Sequence, residues 1–309
     1  MKTRRYVDIL KRVFTKKNYL KIKLLVFLAP VLSDKTFLRL MFPLRTGYKL
    51  NLETPKTLNE KLQWLKLYDR RPEYTQMVDK AEAKKYVANI IGEEHIIPTY
   101  AVYDTVDEID FNVLPNQFVL KCTHDSGGIV ICHDKKNLDR AMAIKTLRDG
   151  LKKNYYNIKR EWPYKNVTPR IIAEKYMCDE DKVLEVEQLR DYKIFCFNGE
   201  PKFIEVDYDR YVNHKLNVYD LNWNFVDFYM TSPNDENVKI PRPQRLETML
   251  EYARKLSAGI PFLRVDLYSV GDMIYFGELT FHPGSGMIDF HPQEYDLKLG
   301  DMLSLPIDN

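Results

Sequence analysis

The sequence predicts an α+β protein in which antiparallel sheets are backed by few helices, and three observations carry that prediction. Between residues 192 and 281, runs rich in β-branched and aromatic residues follow one another, with a single helical stretch among them. Asn198-Gly199 separates the first two runs, and such a pair supplies the positive φ values that a tight hairpin turn requires. Ahead of Gly92, by contrast, apolar positions recur at helical spacing and cap signals stand beside them.

The first 50 residues read as basic helices. Arg4, Arg5, Lys11, Arg12, Lys16, Lys17, Lys21 and Lys23 interleave with Tyr6, Ile9, Leu10, Val13, Phe14, Leu20, Ile22 and Leu24. Residues 1 to 49 hold 13 Lys/Arg against Asp8 and Asp34, or +11, so with a net charge of +3 the remainder carries −8. Such a segment either lies on an anionic membrane surface, where each basic side chain contributes about 1 kcal/mol, or packs its apolar side on the body. No nucleic-acid-binding motif accompanies the charge, so nucleic acid is not expected as a partner. The apolar run from Leu24 to Leu32 is interrupted by Pro30 and is shorter than the roughly 20 residues a span needs, so no transmembrane helix is predicted. Ser33-Asp34-Lys35 offers no small-x-small cleavage site, and no secretory signal is expected.

Thr57-Leu58-Asn59-Glu60 has the form of a capping box leading into an amphipathic helix that stops before Pro72. Asp79-Lys80 opens a second helix, through Ala81 to Ile91, closed by Gly92. Strands are expected around Ile96 to Tyr103, over residues 116 to 122, at Ile129 to Cys132 and from Arg170 to Met177, with a helix from Leu138 to Leu151. Beyond them come strands at Tyr192 to Phe197, Lys202 to Val206, Leu216 to Tyr219, Phe262 to Tyr268 and Met273 to Phe281, with a helix from about Arg245 to Leu256.

Cys122, Cys132, Cys178 and Cys196 form no C-x-x-C pair and lie mostly in apolar runs, which suits a reducing cytoplasm. His124 and His133 near Cys122 and Cys132 do not have structural zinc spacing.

Two carboxylates near the C-terminus carry the chemical signal. Arg264-Val265-Asp266-Leu267-Tyr268 and Tyr275-Phe276-Gly277-Glu278-Leu279-Thr280 read as one hairpin, followed by Phe281-His282-Pro283-Gly284. With Asp266 opposite Glu278 or Phe276 the acids share a face, and in an odd register they point apart. Acids that share a face are either solvated on an exposed hairpin or gathered for a cation; Mg²⁺ takes one or two carboxylates and completes its shell with water and phosphate oxygens. Upstream, Lys121 ends a strand and Ser126-Gly127-Gly128 follows, an arrangement in which backbone N–H groups and an ammonium can hold phosphate, although many hairpins carry such residues for local reasons. Neither G-x-x-x-x-G-K-[ST] nor G-x-G-x-x-G is present.

The order of Asp79-Lys80, Val119-Leu120-Lys121, Ser126-Gly127-Gly128, Ala173-Glu174-Lys175-Tyr176-Met177, Asp191-Tyr192-Lys193, Arg264-x-Asp266 and Glu278-x-Thr280-x-x-Pro283-Gly284 resembles the ATP-grasp superfamily over roughly residues 55 to 300. Tyr192 to Pro201 and Gly277 to Phe281 are most similar to the TupA-like branch, associated with teichuronopeptide synthesis and surface polysaccharides. The resemblance implies an ATP-grasp fold: two α+β subdomains clamping ATP between antiparallel sheets, behind a basic helical extension. The segments would be 1–54 (extension), 55–116 (small αβ domain), 117–178 (flap and hinge) and 179–309 (metal and substrate).

It further implies ATP and Mg²⁺ as cofactors. Lys80 and Lys121 would contact phosphates, with residues 123 to 128, including Ser126, Gly127 and Gly128, as a mobile flap. Glu174, Lys175, Tyr176 and Met177 match the adenine hinge, Asp191 the acid near the ribose, and Lys193 the nucleotide side of its strand. Asp266, Glu278 and Thr280 match metal ligands, and Arg264 the arginine at the transferring phosphoryl group. Thr280 stands where many members have asparagine, which puts a second Mg²⁺ in doubt. The implied activity is an ATP-dependent carboxylate–amine ligase of surface polysaccharide biosynthesis, cytoplasmic or peripheral at the inner face of the membrane. Its substrates would be a carboxylate and an amine, one of them sugar-linked, with Lys215, Arg210, Tyr211 and His282 as candidate contacts. Two alternatives stay open. Asp207-Tyr208-Asp209, repeated in form by Asp179-Glu180-Asp181, is the D-x-D of a metal-dependent glycosyltransferase, and a non-catalytic nucleotide-binding scaffold would use the basic arm alone.

Overall fold

The computed structural model describes residues 16–125, 127–178, 189–208 and 215–306. Residues 1–15, Ser126, Asp179, Glu180, Asp181, Asp209, Arg210 and Tyr211 lie outside the described residues, and with them the first part of the basic arm, one flap position, the second acid triplet and two candidate acceptor contacts.

In chain order the helices are α1 (Lys16–Phe27), α2 (Asp34–Thr46), α3 (Leu58–Tyr68), α4 (Glu73–Val78), α5 (Glu82–Ile91), α6 (Arg140–Leu151), α7 (Tyr155–Lys159), α8 (Leu246–Ser257) and α9 (Glu294–Asp301). The strands are β1 (Thr99–Tyr103), β2 (Phe118–Cys122), β3 (Ile129–Cys132), β4 (Ile171–Lys175), β5 (Asp191–Phe197), β6 (Glu200–Tyr208), β7 (Lys215–Tyr219), β8 (Phe225–Val226), β9 (Phe262–Val270) and β10 (Met273–Thr280). Backbone proximity divides the chain into Met1–Arg70, Asn154–Trp162 and His282–Asn309 on one side and Arg71–Lys153 and Pro163–Phe281 on the other.

The first unit is helical among its described residues. Ser33 caps α2 by accepting from the Thr36 N–H, and Gly47 ends it at φ 84°. Thr57 and Glu60 form the reciprocal capping box expected at the start of α3. Ile22, Leu25 and Ala29 pack on Phe37, Leu38 and Met41 of α2. The short α7 and α9 were not expected from the sequence. α9 is held to α3 where the Asn59 N–H donates to Asp296 Oδ1 at 2.9 Å.

The second unit holds both sheets. One has strand order β1-β4-β2-β3 and the other β10-β9-β5-β6-β7-β8, with every neighbouring pair antiparallel. Asn198 and Gly199 turn β5 into β6 with φ of 50° and 83°, the left-handed pair expected at that dipeptide. One face of the smaller sheet, through Phe118, Leu120, Ile171 and Ala173, builds a core with Ala143 and Leu147 of α6. The larger sheet is covered by α8, which runs close to β5, β6 and β9 and buries Leu246, Met249, Leu250, Ala253 and Leu256. Alternation along each strand then leaves the opposite faces for polar residues.

Candidate active site

On the face of the larger sheet away from α8, polar residues occupy adjoining registers of four strands. Asp191 and Lys193 of β5 lie opposite Asp207 and Glu205 of β6, while Lys193 lies opposite Asp266 of β9. Asp266 in turn faces Glu278 of β10, and Arg264 faces Thr280. This pairing depends on a bulge. From the turn the ladder runs Val270 against Met273 to Leu267 against Phe276, then shifts before Glu278. Continued unshifted, it would set Asp266 against Gly277 and send Glu278 to the other face.

The charges on this face interlock. Arg264 donates from Nε and Nη2 to both Asp266 oxygens at 2.7 and 2.6 Å and from Nη2 to Glu278 Oε1 at 2.9 Å. Thr280 Oγ1 donates to the same Glu278 oxygen at 3.2 Å. Lys193 Nζ lies 3.0 Å from Asp191 and makes a short contact with Asp207. Burial would discharge that ammonium, but Asp191, Asp266, Asp207 and Glu205 together raise its pKa. Burial pushes the Asp266 carboxyl up to about 8 although Arg264 pulls it down, and pushes Glu205 up to about 7 against the pull of Lys193. Glu278 moves the other way, because Arg264 and Lys80 outweigh its burial.

The smaller sheet contributes a second charged group. Glu174 of β4 bridges two lysines, with Oε1 2.6 Å from Lys84 and Oε2 2.6 Å from Lys121. Lys84 of α5 also donates to the Ile97 carbonyl and to Thr99 Oγ1, each at 2.7 Å. Burial favours a neutral Glu174, yet Lys121 and Lys84 hold its pKa below the usual value. The loop between β2 and β3 is fastened by Asp125: its carbonyl accepts from Lys80 Nζ at 2.6 Å, Oδ1 from the Gly128 N–H at 3.1 Å and Oδ2 from Lys153 Nζ at 3.2 Å. A Cβ on Gly128 would stand 2.7 Å from Cys122 Sγ, so only glycine lets the loop close this tightly.

Both groups open onto one cavity of about 300 Å³, lined by Lys80, Lys121, Gly127, Gly128, Glu174, Asp191, Lys193, Asp266 and Glu278 among the residues singled out from the sequence, and also by Cys122, Asp125, Ile129, Tyr268 and Gly277. Arg264 and Thr280 touch this set through Asp266 and Glu278. Lys175, Tyr176 and Met177 follow at the end of β4 and are not among the lining residues. Lys175 is exposed, and the Tyr176 ring meets His133 edge-on at 4.9 Å. Lys215 pairs with Asp235 at 2.7 Å, and His282 belongs to the first unit, where Nδ1 is 3.8 Å from Glu161. The D-x-D reading loses ground at Asp207, whose carboxylate is buried against Lys193.

Sequence reasoning missed Lys84 and Glu205, and placed Asp125 in the flap without a role of its own. Lys84 could have been found, since it falls at helical spacing with Val87, Ala88 and Ile91 on the buried side of α5.

The donor set suits a hard cation. Asp191, Glu205, Asp207, Asp266 and Glu278 outnumber Lys193 and Arg264 on one sheet face, an excess of hard carboxylate oxygens over cationic side chains. Among the described residues no cluster of three His, Cys, Asp or Glu has metal-binding geometry, so protein ligands alone would leave part of a Mg²⁺ shell to other oxygens.

Among solved structures, the chain is similar to D-alanine–D-alanine ligase of Bacillus anthracis in complex with ATP, at 14% identity and TM-score 0.41, covering 79% of this chain and 65% of that one. The Helicobacter pylori D-alanine–D-alanine ligase gives 15% identity, TM-score 0.40 and coverage of 80% and 69%. D-alanyl-alanine synthetase A of Vibrio cholerae gives 10%, 0.42, 78% and 62%. The chain thus spans about two thirds of the length of these structures. No curated protein matches it in sequence. The sequence model of the family described as TupA-like ATPgrasp matches residues 60–304, which takes in both sheets and every residue that lines the cavity. The chain belongs to the TupA-like ATP-grasp family.

Proposed function

We propose that the protein is an ATP-dependent carboxylate–amine ligase, and the observation that carries this reading is the meeting of Lys80, Lys121 and Lys193 with Asp266 and Glu278 in one cavity. A carboxylate is a poor acyl donor because its leaving group would be oxide. Transfer of the γ-phosphoryl group to it gives an acyl phosphate and ADP; the amine then forms the amide bond, loses a proton and releases phosphate. This sequence needs cationic side chains where negative charge accumulates and no nucleophilic side chain.

Lys80 and Lys121 hold the phosphates, with Gly127 offering its backbone N–H from the loop between β2 and β3, where the Gly128 N–H is given to Asp125. Mg²⁺ held by Asp266 and Glu278, with Thr280 beside them, would supply countercharge to the phosphate oxygens. Arg264 steadies the transferring group once the two acids share their charge with the cation. Lys193 faces the nucleotide and Asp191 the ribose, while the adenine would lie along the end of β4 past Glu174, against backbone groups of Lys175, Tyr176 and Met177, which stand outside the cavity lining. The substrates are a carboxylate and an amine in the cytoplasm, one of them sugar-linked and used for surface polysaccharide: an amino acid with a uronic acid, or an amino sugar with a small acid.

The test is a screen of such acid and amine pairs for ADP and phosphate release, with Glu278→Ala as the blank. Release that requires both members of one pair, and vanishes in the variant, is expected. Turnover indifferent to any acceptor would leave the ligase reading without support, and absence of turnover with tight ATP binding would favour a scaffold.

A further inference from the structure

Helix α1 has two apolar sides. One is used: Ile22 and Leu25 are buried, with Ala29 beyond them, against α2. The other is not covered. Leu20, Leu24, Phe27 and Val31, spaced four, three and four residues apart and so on one side of the helix and its following turn, are 66%, 58%, 79% and 80% exposed. Helical geometry sets Lys21 on one border of this stripe and Lys23 on the other, and both are exposed. A helix that served only to pack on its neighbour would put polar residues on the outer side.

We propose that this stripe docks the protein on an anionic lipid surface, with the helix lying in the interface, its apolar row in the acyl boundary and Lys21 and Lys23 reaching back to the headgroups. Charge complementarity selects this occupant. Residues 1 to 49 carry +11 in a chain of net +3, which an anionic bilayer attracts over its whole area. Lysines on both borders of an apolar stripe suit a lipid interface better than the centre of a protein interface, which is depleted of lysine. No described helix is long and apolar enough to cross a membrane, so the contact is peripheral. The inference stands on α1 and on the charge of residues 1 to 49, and holds with or without the ligase reading.

Co-sedimentation of the full chain with phosphatidylcholine vesicles, with and without phosphatidylglycerol, tests it. Binding is expected only to the phosphatidylglycerol vesicles and should weaken with salt. Lys21→Gln with Lys23→Gln should weaken it roughly 30-fold, the product of two headgroup contacts. Leu24→Glu with Phe27→Glu should abolish it while the thermal midpoint and ATP turnover stay at wild-type values. Should that pair fail to fold, Phe27→Trp gives an independent readout, with a blue-shifted emission expected on phosphatidylglycerol vesicles. Wild-type protein that ignores those vesicles, a Leu24→Glu/Phe27→Glu variant that binds as well as wild type, or a Phe27→Trp variant whose emission does not shift would overturn the proposal. So would a wild-type oligomer in solution that the Leu24→Glu/Phe27→Glu pair dissolves, because the face would then belong to a second copy of the chain.

Discussion

Glu278 faces Asp266 across the β9–β10 ladder because Gly277 is an extra residue on its strand. A glycine suits the place, since a Cβ there would stand 3.0 Å from the Asp266 carbonyl and 3.0 Å from the Tyr268 ring. The ring can yield by a few tenths of an ångström, but the carbonyl belongs to the ladder that presents the acid.

Gly277→Ala is therefore expected to cost about 1–3 kcal/mol of stability through overpacking. It should also lower ATP turnover by more than tenfold, because a displacement of even half an ångström loosens the acid pair. Thermal unfolding and ADP release measure the two effects. Wild-type turnover in the alanine variant would mean that the bulge does not set the site.

Asp207 separates the ligase reading from the glycosyltransferase alternative. Its carboxylate is buried and holds Lys193, which Asp191 also holds at 3.0 Å. Asp207→Asn keeps the shape and one of the two acids, so ATP affinity should fall less than about tenfold and turnover should persist, the loss being that of one charge-assisted hydrogen bond of about 1.5–3 kcal/mol partly replaced by the amide. If Asp207 instead carried a metal for a sugar diphosphate, the same change would abolish activity. Titration of ATP binding and measurement of ADP release on one preparation decide between them.

Part of this site was legible because strands declare which residues share a face, and part because the order of short motifs resembles a known family. Asp266 was read from the hairpin that the structure keeps as β9 and β10 and Lys121 from its place at the end of β2, while Asp191 and Lys193 of β5 came from the resemblance to the ATP-grasp superfamily. The bulge was not legible in the same way: the regular register read from the turn would have separated the acids, and Gly277 within a strand was the available warning. Lys84 was missed for a different reason. Next to it Lys85 is an ordinary surface lysine, 73% exposed, and only the phase of α5 distinguishes them. The ties from Asn59 to Asp296 and from Lys61 to the Gly300 carbonyl, at 2.9 and 2.8 Å, span more than 200 residues and leave no local pattern.

Lys66 gives a pH signature independent of the active site. It is fully buried on α3, where Nζ donates to Gln63 Oε1 at 3.1 Å, to the Lys159 carbonyl at 3.0 Å, and to the Ser285 carbonyl and Oγ at 2.7 and 2.9 Å. These acceptors are uncharged, and burial pushes the ammonium from 10.5 down to about 7, with Glu161 pulling the other way. Between those two values the unfolded chain holds a proton that the folded one has released. Stability from this group therefore rises with pH across that window and is lost as pH falls through 7, with a slope of up to about 1.4 kcal/mol per pH unit. Lys66→Met removes the titration but leaves the four acceptors without a donor, so the variant should be less stable at every pH. The informative quantity is the gap between wild type and variant in denaturant unfolding. It should widen by about 2–3 kcal/mol from pH 7 to pH 9. A gap of constant size would mean that Lys66 keeps its proton throughout, held by the carbonyls and Glu161 against the cost of burial.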